Sequence, residues 1–147
     1  MTRITLAQAN AMIDGALEHA ASHSLNPLTV AVLDAGGHII ALQRQDNAGI
    51  LRPEIAIGKA WGTLGMGLGG RALAKRSQIA PAFYTALVGA SEGRVIPVPG
   101  GVLVRDSDGV IIGAVGISGD MPDQDEACAA SGIKHAGFTP DIGSDEH

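Results

Sequence analysis

The chain has 147 residues, of which 46% are hydrophobic and 17% charged. It is therefore long enough for one domain with a buried core and too hydrophobic for a disordered protein. Ten basic and fifteen acidic residues give a formal net charge of −5, which argues against nucleic acid as a partner because no broad cationic field faces a phosphate backbone. No apolar run reaches the roughly 18 residues of a membrane span, and no apolar leader segment is found near the start, so we expect a cytoplasmic protein.

The first half of the chain predicts a helix, a hairpin and a second helix. Thr5 and Gln8 have the spacing of a capping box, and apolar residues then recur every three or four positions until Pro27. Two runs suited to strands follow at 28–33 and 38–44, separated by the turn sequence Asp-Ala-Gly-Gly. Pro53 is well placed to begin the next helix.

The second half predicts short helices, further strands and a last helix. Five glycines between positions 62 and 70 disfavour a continuous helix, so a break is expected there. The helical pieces that follow are predicted at 71–76 and 82–87, the strands at 95–98, 102–105 and 110–117, and the last helix from Pro122 to about Lys134.

Strands grouped into hairpins, with helices between the groups, indicate an α+β domain built on a single antiparallel sheet flanked by helices. We expect this domain to occupy residues 1–138, with a polar tail at 139–147. The composition, which is apolar and rich in glycine, also favours a homo-oligomer that buries its surplus surface between copies.

A series of short blocks in the sequence is typical of one family. The blocks are VAVLDAGGH at 30–38, Arg44 with Asp46, IAIGKA at 55–60, PGG at 99–101, DG at 108–109, GAVGISG at 113–119, and the acids Asp123, Asp125 and Glu126. In this order they resemble the GlcG/HbpS family of haem-binding or haem-degrading domains, which is related to the PduO C-terminal domain. The resemblance implies a profilin-like or PAS-like sheet, homo-oligomers from dimer to octamer, and noncovalent haem binding in some members. Other members accompany catabolic enzymes.

Haem is the leading candidate ligand that the family resemblance implies. Covalent attachment is excluded because the single cysteine, Cys128, does not belong to a Cys-x-x-Cys-His motif. A noncovalent haem needs an axial ligand, and His19 is the predicted ligand of the iron, with His23 four residues later. Arg44 and Arg52 could receive carboxylates. Two alternatives remain: solvated histidines near a helix end, or half of a zinc site completed by a carboxylate.

A small-molecule enzyme is the second hypothesis. Lys59 lies in an apolar helix segment, where burial would lower the pKa of its ammonium and suit it to act as a base or Schiff-base amine. Carboxylates, arginines and exposed glycine amides near it could handle a carboxylate or carbonyl metabolite by lyase, hydratase, isomerase or decarboxylase chemistry. The predicted catalytic residues are Lys59, Glu54 and Asp46, and the predicted ligand-binding residues are Arg44, Arg52, Gly100, Gly101 and Asp125.

Two further hypotheses involve neither catalysis nor a ligand. Lys59 could form a structural ion pair with Asp34 or Asp46, and the whole protein could be an oligomeric scaffold. The sequence therefore leads to a protein that binds a small anionic ligand, with haem first.

Overall fold

The computed structural model describes residues 2–144, which form five helices and five strands. The helices are α1 (Leu6–Ser22), α2 (Arg52–Met66), α3 (Gly70–Ile79), α4 (Pro81–Ala90) and α5 (Pro122–His135). The strands are β1 (Thr29–Asp34), β2 (Ile39–Arg44), β3 (Gly101–Arg105), β4 (Ile111–Ser118) and β5 (Thr139–Asp141). In this part of the chain, no helix is both long enough and apolar enough to cross a membrane.

One antiparallel sheet carries the fold, with the strands in the order β2-β1-β4-β3-β5. The predicted hairpin of β1 and β2 is present, and β1 also pairs along its whole length with β4, from Thr29 opposite Ser118 to Asp34 opposite Gly113. The predicted α+β class and single antiparallel sheet are therefore confirmed.

Helices cover both faces of the sheet. Alternate residues of β1 point to opposite sides, so Val30 and Val32 pack in the core formed with α1 and α5, while Leu33 packs with Ala60 of α2. The capping box predicted at Thr5 is formed: the Thr5 hydroxyl accepts a hydrogen bond from the Gln8 amide at 3.1 Å, and the Gln8 side chain accepts one from the Thr5 amide at 2.9 Å.

Glycines let the α2 backbone lie directly on the sheet. A Cβ on Gly116 would clash with the carbonyl oxygen of Ala56, and a Cβ on Gly101 would clash with that of Lys59. Because the two layers meet at backbone distance, the Lys59 side chain of α2 reaches Asp125 of α5.

Four predicted segments are corrected by the structure. Residues 95–98 do not form a strand: Pro97 has no amide hydrogen to donate, and the Ile96 amide donates to the Gly58 carbonyl of α2 at 3.3 Å. The helical pieces at 71–76 and 82–87 are parts of the longer α3 and α4. The segment predicted as a polar tail begins with β5, which pairs with β3; residues 145–147 lie outside the described residues.

Candidate functional site

The Lys59 ammonium is buried between α2, β4 and α5. Lys59 is 4% exposed, and its Nζ donates to the carbonyl oxygen of Ile117 at 3.0 Å and to Oδ2 of Asp125 at 3.2 Å. Gly100 passes beside it with a φ of +124°, and a Cβ at Gly100 would lie 2.8 Å from Nζ. Lys59, Asp125 and Gly100 thus come together in a tightly packed contact.

Burial favours the neutral form of both partners in this pair. It lowers the pKa of Lys59, with the nearby Asp125 opposing that effect, and it raises the pKa of Asp125, with Lys59 opposing in turn. Oδ1 of Asp125 also accepts a hydrogen bond from the Asp120 amide at 3.0 Å. The structural ion pair considered for Lys59 therefore exists, with Asp125 as its partner rather than Asp34 or Asp46.

Arg52 extends this polar region toward the surface. Its Nη1 donates to the Ser118 hydroxyl at 3.0 Å, and its charge adds to the lowering of the Lys59 pKa. Thr29, opposite Ser118 in the sheet, is fully buried, and its hydroxyl has no hydrogen-bond partner within residues 2–144. No local pattern singles out Thr29, because a β-branched residue in a strand is ordinary.

Gly101 is buried under α2, whereas Arg44, Asp46 and Glu54 lie at the surface. Arg44 and Asp46 line a cavity of about 460 Å³ beside Pro27, and Nη1 of Arg44 donates to the Ala48 carbonyl at 3.1 Å. Glu54 is exposed in the first turn of α2. In the described part of the chain, no hydrogen bond joins Arg44, Asp46 or Glu54 to the Lys59–Asp125 pair. Their catalytic and ligand-binding roles stay predictions.

His19 and His135 lie in a cleft between α1 and α5. His19 lines a cavity of about 290 Å³ that also includes His135 from the last turn of α5. The His19 ring stacks on that of His23, with centroids 4.1 Å apart, while Nδ1 of His23 lies 2.8 Å from the His19 carbonyl oxygen. We call this place the imidazole cleft; its lining residues are Gly15, Glu18, His19, Ser22, Ser131 and His135.

The surroundings of His19 favour the neutral form of its ring. Partial burial lowers its pKa, and the neighbouring His23 lowers it further. Neutral imidazole is the form that binds iron, so His19 has the chemistry predicted for an axial ligand. Sequence reasoning missed His135, because 116 positions separate it from His19 and no local spacing connects them.

A zinc site at these histidines is not supported. The described residues contain no group of three or more histidine, cysteine, aspartate or glutamate side chains arranged to hold a metal ion. A structural zinc site needs about four such ligands.

Comparison with known proteins gives a consistent picture. The family model described as haem degrading protein HbpS-like matches residues 4–134. A 15.0 kDa protein from the dhaT-dhaS intergenic region of Citrobacter freundii is 31% identical over 130 residues, which cover 88% of this chain and 89% of that protein.

Two solved structures have the same fold. The crystal structure of the PduOC:haem complex superposes with a TM-score of 0.84 at 27% identity, covering 93% of this chain and 97% of that one. The crystal structure of a double mutant of HbpS from Streptomyces reticuli superposes with a TM-score of 0.78 at 27% identity, covering 91% of this chain and 87% of that one. The order of motifs along the sequence and the arrangement of the sheet therefore point to the same relatives.

Proposed function

This chain belongs to the HbpS-like family, and on that premise we propose that it binds haem without covalent attachment. The observation that carries the proposal is the likeness over 93% of the chain to a protein whose crystal structure contains haem. The second support is the imidazole cleft, which supplies the donor type that haem iron requires.

The residues of the imidazole cleft fit such a group in chemistry and in access. The His19 ring is half-buried, its pKa is lowered, and the small side chains Ser22 and Ser131 line the cleft beside it. His19 would hold the iron, and His135 is the second imidazole available in the same cleft. Bound haem would supply the redox and ligand chemistry of its iron. The cleft, at about 290 Å³, is just below the roughly 300–1,000 Å³ typical of ligand pockets, so part of the macrocycle would stay outside it.

Titration of the purified protein with haemin tests this proposal. We expect a saturable Soret shift at fixed stoichiometry, and a loss of affinity of at least about tenfold in His19→Ala, because the axial bond is removed. His23→Ala is the matched control: it removes the stacked exposed ring and leaves the proposed ligand. An unrelated acidic protein corrects for haemin adsorption. A linear, unsaturable response would contradict haem binding, and an equal Soret shift in His19→Ala would contradict the choice of ligand.

Haem binding should depend on pH through the same residue. A proton on His19 competes with iron, so affinity falls as the pH falls through the pKa of the ring. Because that pKa is lowered from its ordinary value of 6.5, the pH at which half of the haem coordination is lost should lie below 6.5. Measuring the Soret band from pH 8 to pH 5 checks the sign, and a loss centred above pH 6.5 would contradict it.

The oligomeric state, the metabolic role and the cellular location stay predictions. A homo-oligomer and a place in catabolism are what the family resemblance implies, and cytoplasmic location is what the sequence suggests. The enzyme alternative is the weaker one, because the amine it would use is held in the buried pair with Asp125.

A further inference from the structure

A row of polar side chains crosses one end of the sheet on the face that α2 covers. The register pairs Arg44 of β2 with Thr29 of β1, and Thr29 with Ser118 of β4. Directly paired residues of antiparallel strands point to the same face, with Cβ atoms about 4.5–5.5 Å apart, so these three side chains are neighbours. Arg52 of α2 joins the row, because its Nη1 donates to the Ser118 hydroxyl at 3.0 Å. We call these four residues the arginine pair site.

The two arginines of the site contact the same peptide unit. Nη1 of Arg44 donates to the Ala48 carbonyl at 3.1 Å. A Cβ on the next residue, Gly49, would lie 3.9 Å from Nε of Arg52, and the Arg52 amide donates to the Gly49 carbonyl at 3.1 Å. Both guanidiniums are therefore held beside the Ala48–Gly49 peptide, one reaching it from β2 and the other from α2.

Neither guanidinium is neutralised by a carboxylate. Within residues 2–144 the ion pairs involve other side chains, and the bond of each guanidinium goes to an uncharged oxygen, that of Ala48 or of Ser118. The remaining N–H groups of both guanidiniums have no partner in this part of the chain. Arg44 is exposed and Arg52 is half-buried, so an anion can reach both from solvent. Two cations held together in this way attract an anion, although the chain as a whole carries −5.

The row also holds two hydroxyl groups between the arginines. The Ser118 hydroxyl accepts from Arg52 and has its own hydrogen to donate. Thr29 is fully buried, and its hydroxyl has no partner within residues 2–144. A buried hydroxyl without a partner is unfavourable, and a water that connects it to a bound anion would satisfy it. The arginine pair site therefore combines two cations with hydrogen-bond donors for oxygen atoms.

We propose that the arginine pair site binds the oxyanion of a small acid, a carboxylate or a phosphate. The planar guanidinium matches both groups, because it donates two parallel hydrogen bonds to two of their oxygens. Arg44 and Arg52 would both donate to the oxyanion, and the Ser118 hydroxyl would add a third donor. The site is independent of haem, since it lies on the α2 face of the sheet and the imidazole cleft lies between α1 and α5.

Calorimetric titration with malonate and with inorganic phosphate tests the proposal and separates the two acid groups. We expect saturable binding of at least one of them, weakening as salt increases, and no binding of malonamide, the neutral counterpart of malonate. Arg44→Gln and Arg52→Gln should each lower that affinity at least about fivefold, since charge-assisted bonds are lost. The matched control is Lys134→Gln, which removes an exposed positive charge from α5 and should change the affinity less than about twofold, because salt screens distant charges.

Thr29→Val tests the hydroxyl groups separately from the charges. It removes a hydroxyl without a partner within residues 2–144, so the unfolding temperature should not fall, whereas the affinity for the anion should fall at least about twofold. An unchanged affinity would overturn the part of the hydroxyl groups in binding.

Two results would overturn the site as a whole. Equal losses in the arginine variants and in Lys134→Gln would show that only net charge matters. An absence of saturable binding of both malonate and phosphate at millimolar concentration would leave the site without its ligand class. Haemin titration of Arg52→Gln keeps these results separate from the haem proposal, since its Soret response should match that of the parent protein.

Discussion

At the scale of single residues, the stability of variants tests whether the Lys59–Asp125 pair has a structural role. Lys59→Met leaves Asp125 buried without its cation, and breaking a buried pair in this way costs about 3–5 kcal/mol of unfolding free energy. The double variant Lys59→Met with Asp125→Leu removes both charges and should recover most of that loss. Urea unfolding at pH 7 measures both effects.

The Lys59→Met substitution should also change how the unfolding free energy depends on pH. Burial raises the pKa of Asp125, and removal of Lys59 takes away the attraction that opposes the rise. The folded Lys59→Met protein then binds a proton more readily than the unfolded chain, so its unfolding free energy should increase as the pH falls from 7 toward 5. Lys134→Met, on the surface, should stay within about 0.5 kcal/mol of the parent protein. A Lys59→Met protein as stable as the parent would contradict a stabilising role for the Lys59–Asp125 pair.

The sequence predicted that Lys59 is special but not what it contacts. A lysine inside an apolar helix segment implies burial and a partner, and that much follows from the cost of an unpaired buried charge. The partner, Asp125, is 66 positions away, and β4 and α5 must be placed before the two can meet. Thr29 and His135 were not predicted as site residues for the same reason: the packing of strands and helices determines what they contact.

At the scale of elements, glycine positions decide how closely the layers pack. Gly132 of α5 faces α1, where an added Cβ would clash with the Met12 carbonyl oxygen. Gly132→Ala should therefore lower the unfolding free energy by about 1–3 kcal/mol through overpacking, despite the better helix propensity of alanine. Gly89 of α4 is the matched control, because nothing lies within 4 Å of its added Cβ. Gly89→Ala should be neutral or stabilise by up to about 1 kcal/mol. Thermal unfolding of both variants checks the contrast, and equal effects would contradict it.

Elements with strong local signals were predicted well. β1 and β2 combine β-branched runs with a glycine turn, and α5 begins at a proline followed by acids. The segment 95–98 was predicted as a strand on its valines and isoleucine, and tertiary contacts with α2 instead hold it outside the sheet. β5 was missed because a short polar segment with Pro140 pairs only where the edge of β3 is available.

At the scale of the whole molecule, the class of fold follows from the order of elements. Hairpins separated by helices lead to an antiparallel sheet without any knowledge of contacts, and the sheet order β2-β1-β4-β3-β5 agrees with that class. The pairing of β1 with β4, which brings the two hairpins into one sheet, could not be derived from local pattern. That pairing also places Thr29 opposite Ser118.

The assembly of the protein is the last prediction, and it depends on the apolar surface of α4. This helix contains no charged residue, buries only Tyr84, and leaves Phe83 55% exposed. We expect copies to associate through this helix, since solvent-exposed apolar surface of this kind marks contact sites. Light scattering after gel filtration should give a multiple of 14.9 kDa, and Phe83→Asp should reduce it, because a buried carboxylate without a partner is costly. Val110→Asp, at an exposed apolar position outside α4, should leave the mass unchanged. A parent protein of 14.9 kDa in solution, or an unchanged mass in Phe83→Asp, would contradict the prediction.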